Sequence, residues 1–120
     1  MEANNTHENL KAKLAKRLGT IAGCAHFALF LATVFYIQRS SDPQGSLVWV
    51  YWSFADFPVS ILYMLVGGDY GKFLTGLGDS WIGYCLYPPH VIHGLGGTIW
   101  WLFLPRLLLA KKYGGLWGGK

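Results

Sequence analysis

The sequence predicts an all-α integral membrane fold: a small helical bundle of about four transmembrane segments, the third of them short, preceded by a basic amphipathic interfacial helix. Three observations predict it. Of 120 residues, 52% are hydrophobic, 17% aromatic and 13% charged, whereas soluble domains carry about a quarter charged. The apolar residues collect into runs long enough for a hydrocarbon core of about 30 Å. The ten Lys and Arg against six Asp and Glu, a net charge of +4, sit mainly in residues 11–17 and 106–120, flanking those runs. Charge placed there meets lipid headgroups and sets topology, which argues against the nucleic-acid partner that a basic chain would otherwise suggest.

In chain order, residues 1–9 are polar. KAKLAKRL, with Leu10 before it, puts Leu10, Leu14 and Leu18 on one stripe and Lys11, Lys13, Lys16 and Arg17 around it, the pattern of a helix lying on a membrane surface. Residues 1–18 form this juxtamembrane region and 19–112 the transmembrane domain. The first span, 19–38, covers the core at about 1.5 Å per residue. TIAGC at 20–24 imitates a lipoprotein cleavage site, but its apolar run follows Cys24 instead of preceding it, so the span is expected to stay as an anchor. RSSDPQGS is a turn. The second span, 47–66, carries Trp49, Tyr51 and Trp52 near its start, where amphipathic rings suit a water boundary, and GGDYGK closes it. The third, 73–87, is shorter than the roughly 17 residues that cross a bilayer and holds Asp79 and three glycines. Such a segment suits a half-helical or re-entrant course covered by protein or water. The fourth span is 89–110, and 113–120 is a glycine-rich tail.

Charge and proline chemistry select four spans over three. Three spans, with the N-terminus cytoplasmic, put five basic residues on each side; four leave only Arg39 outside, as the positive-inside rule requires. Proline costs about 3 kcal/mol inside a helix and almost nothing at its first position. Pro89 is therefore expected to start a helix, with PPH as the tight outer turn, and both termini are expected in the cytoplasm.

Several polar residues fall inside these oily runs. His90 and His93 form H-x-x-H, one helix face as metal ligands need, but no Glu, Cys or third His completes a set and HExxH is absent. Both rings are expected at the outer interface, bonding water, headgroups or turn carbonyls. In a three-span course His26, Asp56, His90 and His93 would gather at mid-bilayer, a cluster suited to proton relay or haem ligation. In the four-span course His26 lies about 10 Å from the cytoplasmic edge, cannot share a ligand with His90 and His93, and has Asp79 as its natural partner. Asp56 is the strongest anomaly, because a charge at mid-span costs at least about 2.5–3.5 kcal/mol. It is expected to face protein or water as a neutral carboxyl bonded to Ser53, Ser60 or an indole N–H, or to join His26 and Asp79 in a proton or cation path.

Gly19 and Gly23 form GxxxG, and Gly94, Gly97 and Thr98 give the last span a small face; such faces let helices approach closely. Cys24 and Cys85 lack paired spacing and read as buried small hydrophobes. No nucleophile system, phosphate loop or nucleotide fingerprint is present. The leading expectation is a non-enzymatic subunit or scaffold of a membrane complex in a bacterial inner membrane, packing as a homo-oligomer or with a larger membrane protein. A proton or cation transporter element built on Asp56, His26 and Asp79 is the alternative, and metal or haem binding through His90 and His93 a further one. No resident cofactor is expected.

Overall fold

The computed structural model describes residues 10, 13–64, 72–73, 76–78 and 80–116 of the chain. These are all-helical, with no β-strand among the described residues. Helix α1, Leu14–Arg39, is 26 residues long. It takes in Leu14, Arg17 and Leu18 from the basic amphipathic region; Leu10 is helical and Lys13 lies in a turn before Leu14, while residues 11–12 lie outside the described residues. Its buried residues, Ala15, Gly19, Gly23, His26 and Phe30, recur every three or four positions and form one stripe.

Beyond Arg39 the chain turns through Ser40–Gln44. The Ser40 hydroxyl accepts from the Asp42 N–H at 3.1 Å, and the Asp42 carboxylate accepts from the Gln44 N–H at 2.9 Å. These are the local bonds that make Ser and Asp turn formers. A 3₁₀ turn, Gly45–Leu47, leads into α2, Val48–Ala55, and after Asp56–Pro58 the chain resumes as a 3₁₀ helix, Val59–Met64. The expected single span over 47–66 is thus in two pieces. Pro58 restricts the backbone of Phe57 and has no N–H to offer the ladder, so α2 ends at Ala55. Asp56 stands at the break.

Helix α3, Trp81–Cys85, is capped by Ser80, whose hydroxyl accepts from the Gly83 N–H at 3.2 Å. The last helical stretch runs from His90 to Leu108 and has two parts: a π-helix, His90–Gly97, and α4, Thr98–Leu108. Pro89 immediately precedes it with helical dihedrals. Among the described residues, α1 and His90–Leu108 are the two helices long and apolar enough to cross a membrane.

The register of these two helices organises the rest. A Cβ on Gly19 would run into the Leu102 carbonyl; one on Gly23 would meet the Leu102 side chain at 2.6 Å; one on Gly94 would meet the Phe30 ring at 2.8 Å. Gln38 bonds the Tyr84 hydroxyl. As α1 ascends from 19 to 38 its neighbours descend from 102 to 84, so the helices are antiparallel. The residues on both sides of Pro88 and Pro89 follow α1 in the same sense, and PPH lies alongside α1, short of its Arg39 end. The glycine faces that the sequence marks for helix contact are filled within the chain.

The segment from Gly45 to Met64 enters from the Arg39 end. Ser46 and Trp49 share a hollow with Val34, Ile37 and Gln38, Trp52 bonds Thr33, and Asp56 reaches His26. After Pro58 the contacts step back, from Gly97 at Asp56 to Gly96 at Val59 and His93 at Tyr63. Asp56 is the inner tip of a hairpin-like excursion. Cys24 and Cys85, expected to be buried, are free thiols at exposed positions.

This register predicts an asymmetry between two glycines. Gly19→Ala forces a methyl group against a main-chain carbonyl that cannot rotate away and should cost about 1–3 kcal/mol. Gly23→Ala should cost less, since the Leu102 side chain can move. Unfolding midpoints in mild detergent, followed by tryptophan fluorescence, test the order; equal midpoints would contradict the close approach at Leu102.

Candidate functional site

Three apolar residues, Ala15, Phe30 and Ile92, are buried among the described residues, and three polar ones, His26, Asp56 and His93. The polar three are in contact. Asp56 Oδ1 lies 2.8 Å from His26 Nε2, and Oδ2 lies 2.7 Å from His93 Nδ1. The Trp101 indole N–H donates to Oδ1 at 3.1 Å. Asp56 and His93 are wholly inaccessible, and the His26 side chain is 5% exposed.

Each element delivers its group for a local reason. His26 belongs to the buried stripe of α1, one turn from Gly23 and Phe30. Asp56 is freed from helical pairing of its side by the break before Pro58, and its main-chain N–H still bonds the Trp52 carbonyl at 2.9 Å. The π-helix supplies the third side, because i→i+5 bonding widens the turn. His93, Gly97 and Trp101, spaced by four, then stay on one face, and two of them bond the carboxylate while the third makes room for it. A Cβ on Gly97 would fall 2.6 Å from Asp56 Cγ.

Polar accounting assigns the protons. An indole nitrogen only donates, so Asp56 accepts from Trp101, and in its carboxylate form it would accept from both imidazoles as well. This needs the Nε2–H tautomer at His26 and the Nδ1–H tautomer at His93, an assignment made from the bonding pattern. Three N–H donors then offset the cost of removing the carboxylate from water. Each imidazole keeps one further nitrogen. His26 Nδ1 lies 3.1 Å from the Thr98 hydroxyl, which can donate to it or accept from it. Among the described residues, His93 Nε2 is buried with no hydrogen-bond partner, and so is the Tyr63 hydroxyl.

Aromatic rings surround the centre. Trp49 stacks on His93 with planes 2° apart and centroids at 5.8 Å, Tyr63 lies 5.4 Å from His93, and Trp52 meets His26 edge-on at 4.9 Å. These are favourable ring geometries, and they leave the carboxylate no other route to solvent on those sides.

The expected groupings change accordingly. His26 and His93, expected near opposite membrane faces, share Asp56. The reason is register: α1 starts at Leu14, placing His26 near its middle, and the Tyr84–Pro89 stretch runs beside the last turns of α1, carrying His93 deeper than a span beginning at an outer turn. His26 has Thr98 and Asp56 on its two nitrogens, where Asp79 was the expected partner; Asp79 lies outside the described residues. His90 does not converge with His93. Its Nδ1 is 2.8 Å from the Tyr84 carbonyl, and its ring packs against Tyr84, Tyr87 and Phe30. Among the described residues no group of three or more His, Cys, Asp or Glu has metal-holding geometry.

Of the partners proposed for Asp56, the indole N–H is the one in place, while Ser53 bonds the Trp49 carbonyl at 2.9 Å. Thr98, marked as a packing residue, is also a hydrogen-bond partner. Trp49, Tyr63 and Trp101 carry no sequence signal beyond their ring chemistry, although Trp101 stands eight residues after His93. No protein-family model, curated protein or solved structure matches the chain.

Two substitutions probe the centre from opposite sides. Trp101→Phe keeps the ring and removes one donor from a buried carboxylate, and should cost about 1.5–3 kcal/mol. Gly97→Ala keeps every donor and crowds the acceptor, with a penalty of about 1–3 kcal/mol. Both are measurable as lowered unfolding midpoints, and a wild-type midpoint for Trp101→Phe would remove the indole from the bonding scheme.

Proposed function

We propose that the chain is a small multi-pass membrane protein in which His26, Asp56 and His93 form a buried proton-transfer centre, an element of a proton transporter or channel. The carrying observation is the doubly bonded carboxylate, with one imidazole on each oxygen and no solvent contact. An extra proton has two nitrogens on which to sit, His26 Nδ1 beside a hydroxyl able to reverse its role, and His93 Nε2 beside an unpartnered phenol. A unit that can hold or release a proton without changing its three internal bonds is suited to passing one along.

The membrane setting is supported by an inside-out distribution of polarity. The interior is built around a carboxylate and two imidazoles, while Leu29, Phe54, Met64, Trp81 and Leu108 are 64–85% exposed. Water does not favour that arrangement; hydrocarbon does. The antiparallel course of α1 and His90–Leu108 supports an even number of crossings, and the basic flanks favour a cytoplasmic side for both termini, as in a bacterial inner membrane. The excursion to Asp56 then enters and returns on the side opposite the termini, so the four crossings that charge counting favours would not include it.

A second reading is supported by the same centre taken as a lock. Its bonds join α1, the α2 break and the π-helix, which suits a non-enzymatic subunit holding a fixed shape for a membrane partner. In that reading the partner contacts the outer apolar surface, since the glycine faces are occupied within the chain.

Proton flux separates the two. Protein reconstituted into liposomes with an internal pH dye should acidify them under an imposed potassium-valinomycin potential, Asp56→Asn should fall to the protein-free rate, and Cys24→Ser should retain activity. Absence of flux from folded wild-type protein, or flux indifferent to Asp56→Asn, would leave the lock as the surviving reading.

A further inference from the structure

The antiparallel register gathers basic residues from two helices at one end of the molecule. Leu102 lies against Gly19, so Arg106, about one turn further along α4, stands level with the start of α1. Lys13, Lys16 and Arg17 are exposed there, Lys111 is exposed just beyond α4, and the half-buried Arg106 guanidinium lies 5.4 Å from the centre of the Phe103 ring. Lys111 is held in place: it opens the 3₁₀ turn Lys111–Tyr113, and the chain folds back so that the Leu116 N–H donates to the Arg106 carbonyl at 2.7 Å. Among the described residues no carboxylate faces these cations. The acidic residues there are Asp42, beyond the opposite end of α1, and Asp56, enclosed by its imidazoles and indole.

We propose that this end is a docking surface for anionic phospholipid, which the protein selects over zwitterionic lipid. The inference rests on the membrane reading above and is independent of proton transfer. Charge selects the headgroup: basic side chains near a leaflet attract acidic lipid over about a Debye length, and here both helices bring theirs to one level. The start of α1 adds a second reason. It has no side-chain cap and no acidic residue in its first turn, while Lys16 and Arg17 stand there, cations at the positive end of the helix dipole. Within the protein alone that placement is unfavourable, and a phosphate beside these side chains and the free main-chain N–H groups relieves it. The apolar neighbours select lipid over nucleic acid. Leu14 and Leu18 are exposed between the cations, and α1 and His90–Leu108 are the helices long and apolar enough to cross a membrane. A phosphodiester chain in water has no use for the leucines, whereas a phospholipid presents acyl chains directly below its phosphate.

The test is lipid selection, read without flux. Purified protein in mild detergent is titrated with dansyl-labelled phosphatidylglycerol, and energy transfer from its tryptophans reports binding. Saturable transfer is expected, reversed by unlabelled phosphatidylglycerol but not by phosphatidylcholine, and weakened by salt. Lys16→Gln with Arg17→Gln on α1, and Lys111→Gln beyond α4, should each lower the apparent affinity, by about fivefold for every cation removed, with unchanged unfolding midpoints. Arg39→Gln, at the opposite end of α1, should leave it unchanged. Equal transfer from the phosphatidylcholine analogue, wild-type affinity in both the α1 and the Lys111 variants, or an equal loss in Arg39→Gln would overturn the proposal. So would displacement by glycerol phosphate at the same concentration as the lipid, which would mark a site for the free anion, or equally tight binding of a labelled DNA duplex, which would mark a general polyanion surface. Protein that inserts into phosphatidylcholine vesicles without lipid preference would sink the docking surface and keep the membrane reading; protein that stays in the aqueous phase with every vesicle would remove both.

Discussion

The buried long-range side-chain hydrogen bonds among the described residues meet at one carboxylate. Asp56 Oδ1 and Oδ2 are held at 2.8 and 2.7 Å by imidazoles from two antiparallel helices, and the third donor comes from a residue two turns beyond the second imidazole. A buried charge of this kind is stable only while all of its partners are present, since removing one leaves an uncompensated group in a poorly polarisable interior. The close helix approach at Gly19, Gly23 and Gly94 serves this requirement. It brings α1 and His90–Leu108 near enough for a short aspartate side chain to bridge them.

The surroundings give the centre its chemical character. Rings of Trp49, Trp52 and Tyr63 pack around the imidazoles and exclude water without competing for the carboxylate oxygens. The two outer nitrogens differ: His26 Nδ1 is bonded to the Thr98 hydroxyl, and His93 Nε2 has no partner among the described residues. That inequality makes asymmetric a centre that would otherwise be symmetric about Asp56.

Much of this was legible in the sequence as pattern, and less of it as partnership. The stripe Ala15, Gly19, Gly23, His26, Phe30 follows from helical periodicity, and GxxxG announces a close approach. Asp56 stood out because a charge inside an oily run must find cover, and an indole was among the partners its chemistry allowed. Which groups would meet depended on register, and charge counting with proline preferences does not determine register. A helix beginning at Pro89 is consistent with the coordinates, yet the stretch before it also lies against α1, and that displacement moved His93 from a surface position to the core. The break in 47–66 had its signal in Pro58. The π-helix had none, because its wider turn depends on what the glycines at 94, 96 and 97 pack against: Phe30, Val59 and Asp56.

The widened turn has its own implication. Relaxation of His90–Gly97 to ordinary i→i+4 pairing would twist His93 and Trp101 onto diverging faces, and the carboxylate could then retain one of them and not both. The main-chain pairing of this helix and the covering of Asp56 are thus linked: straightening the turn would take a donor away from the carboxyl group.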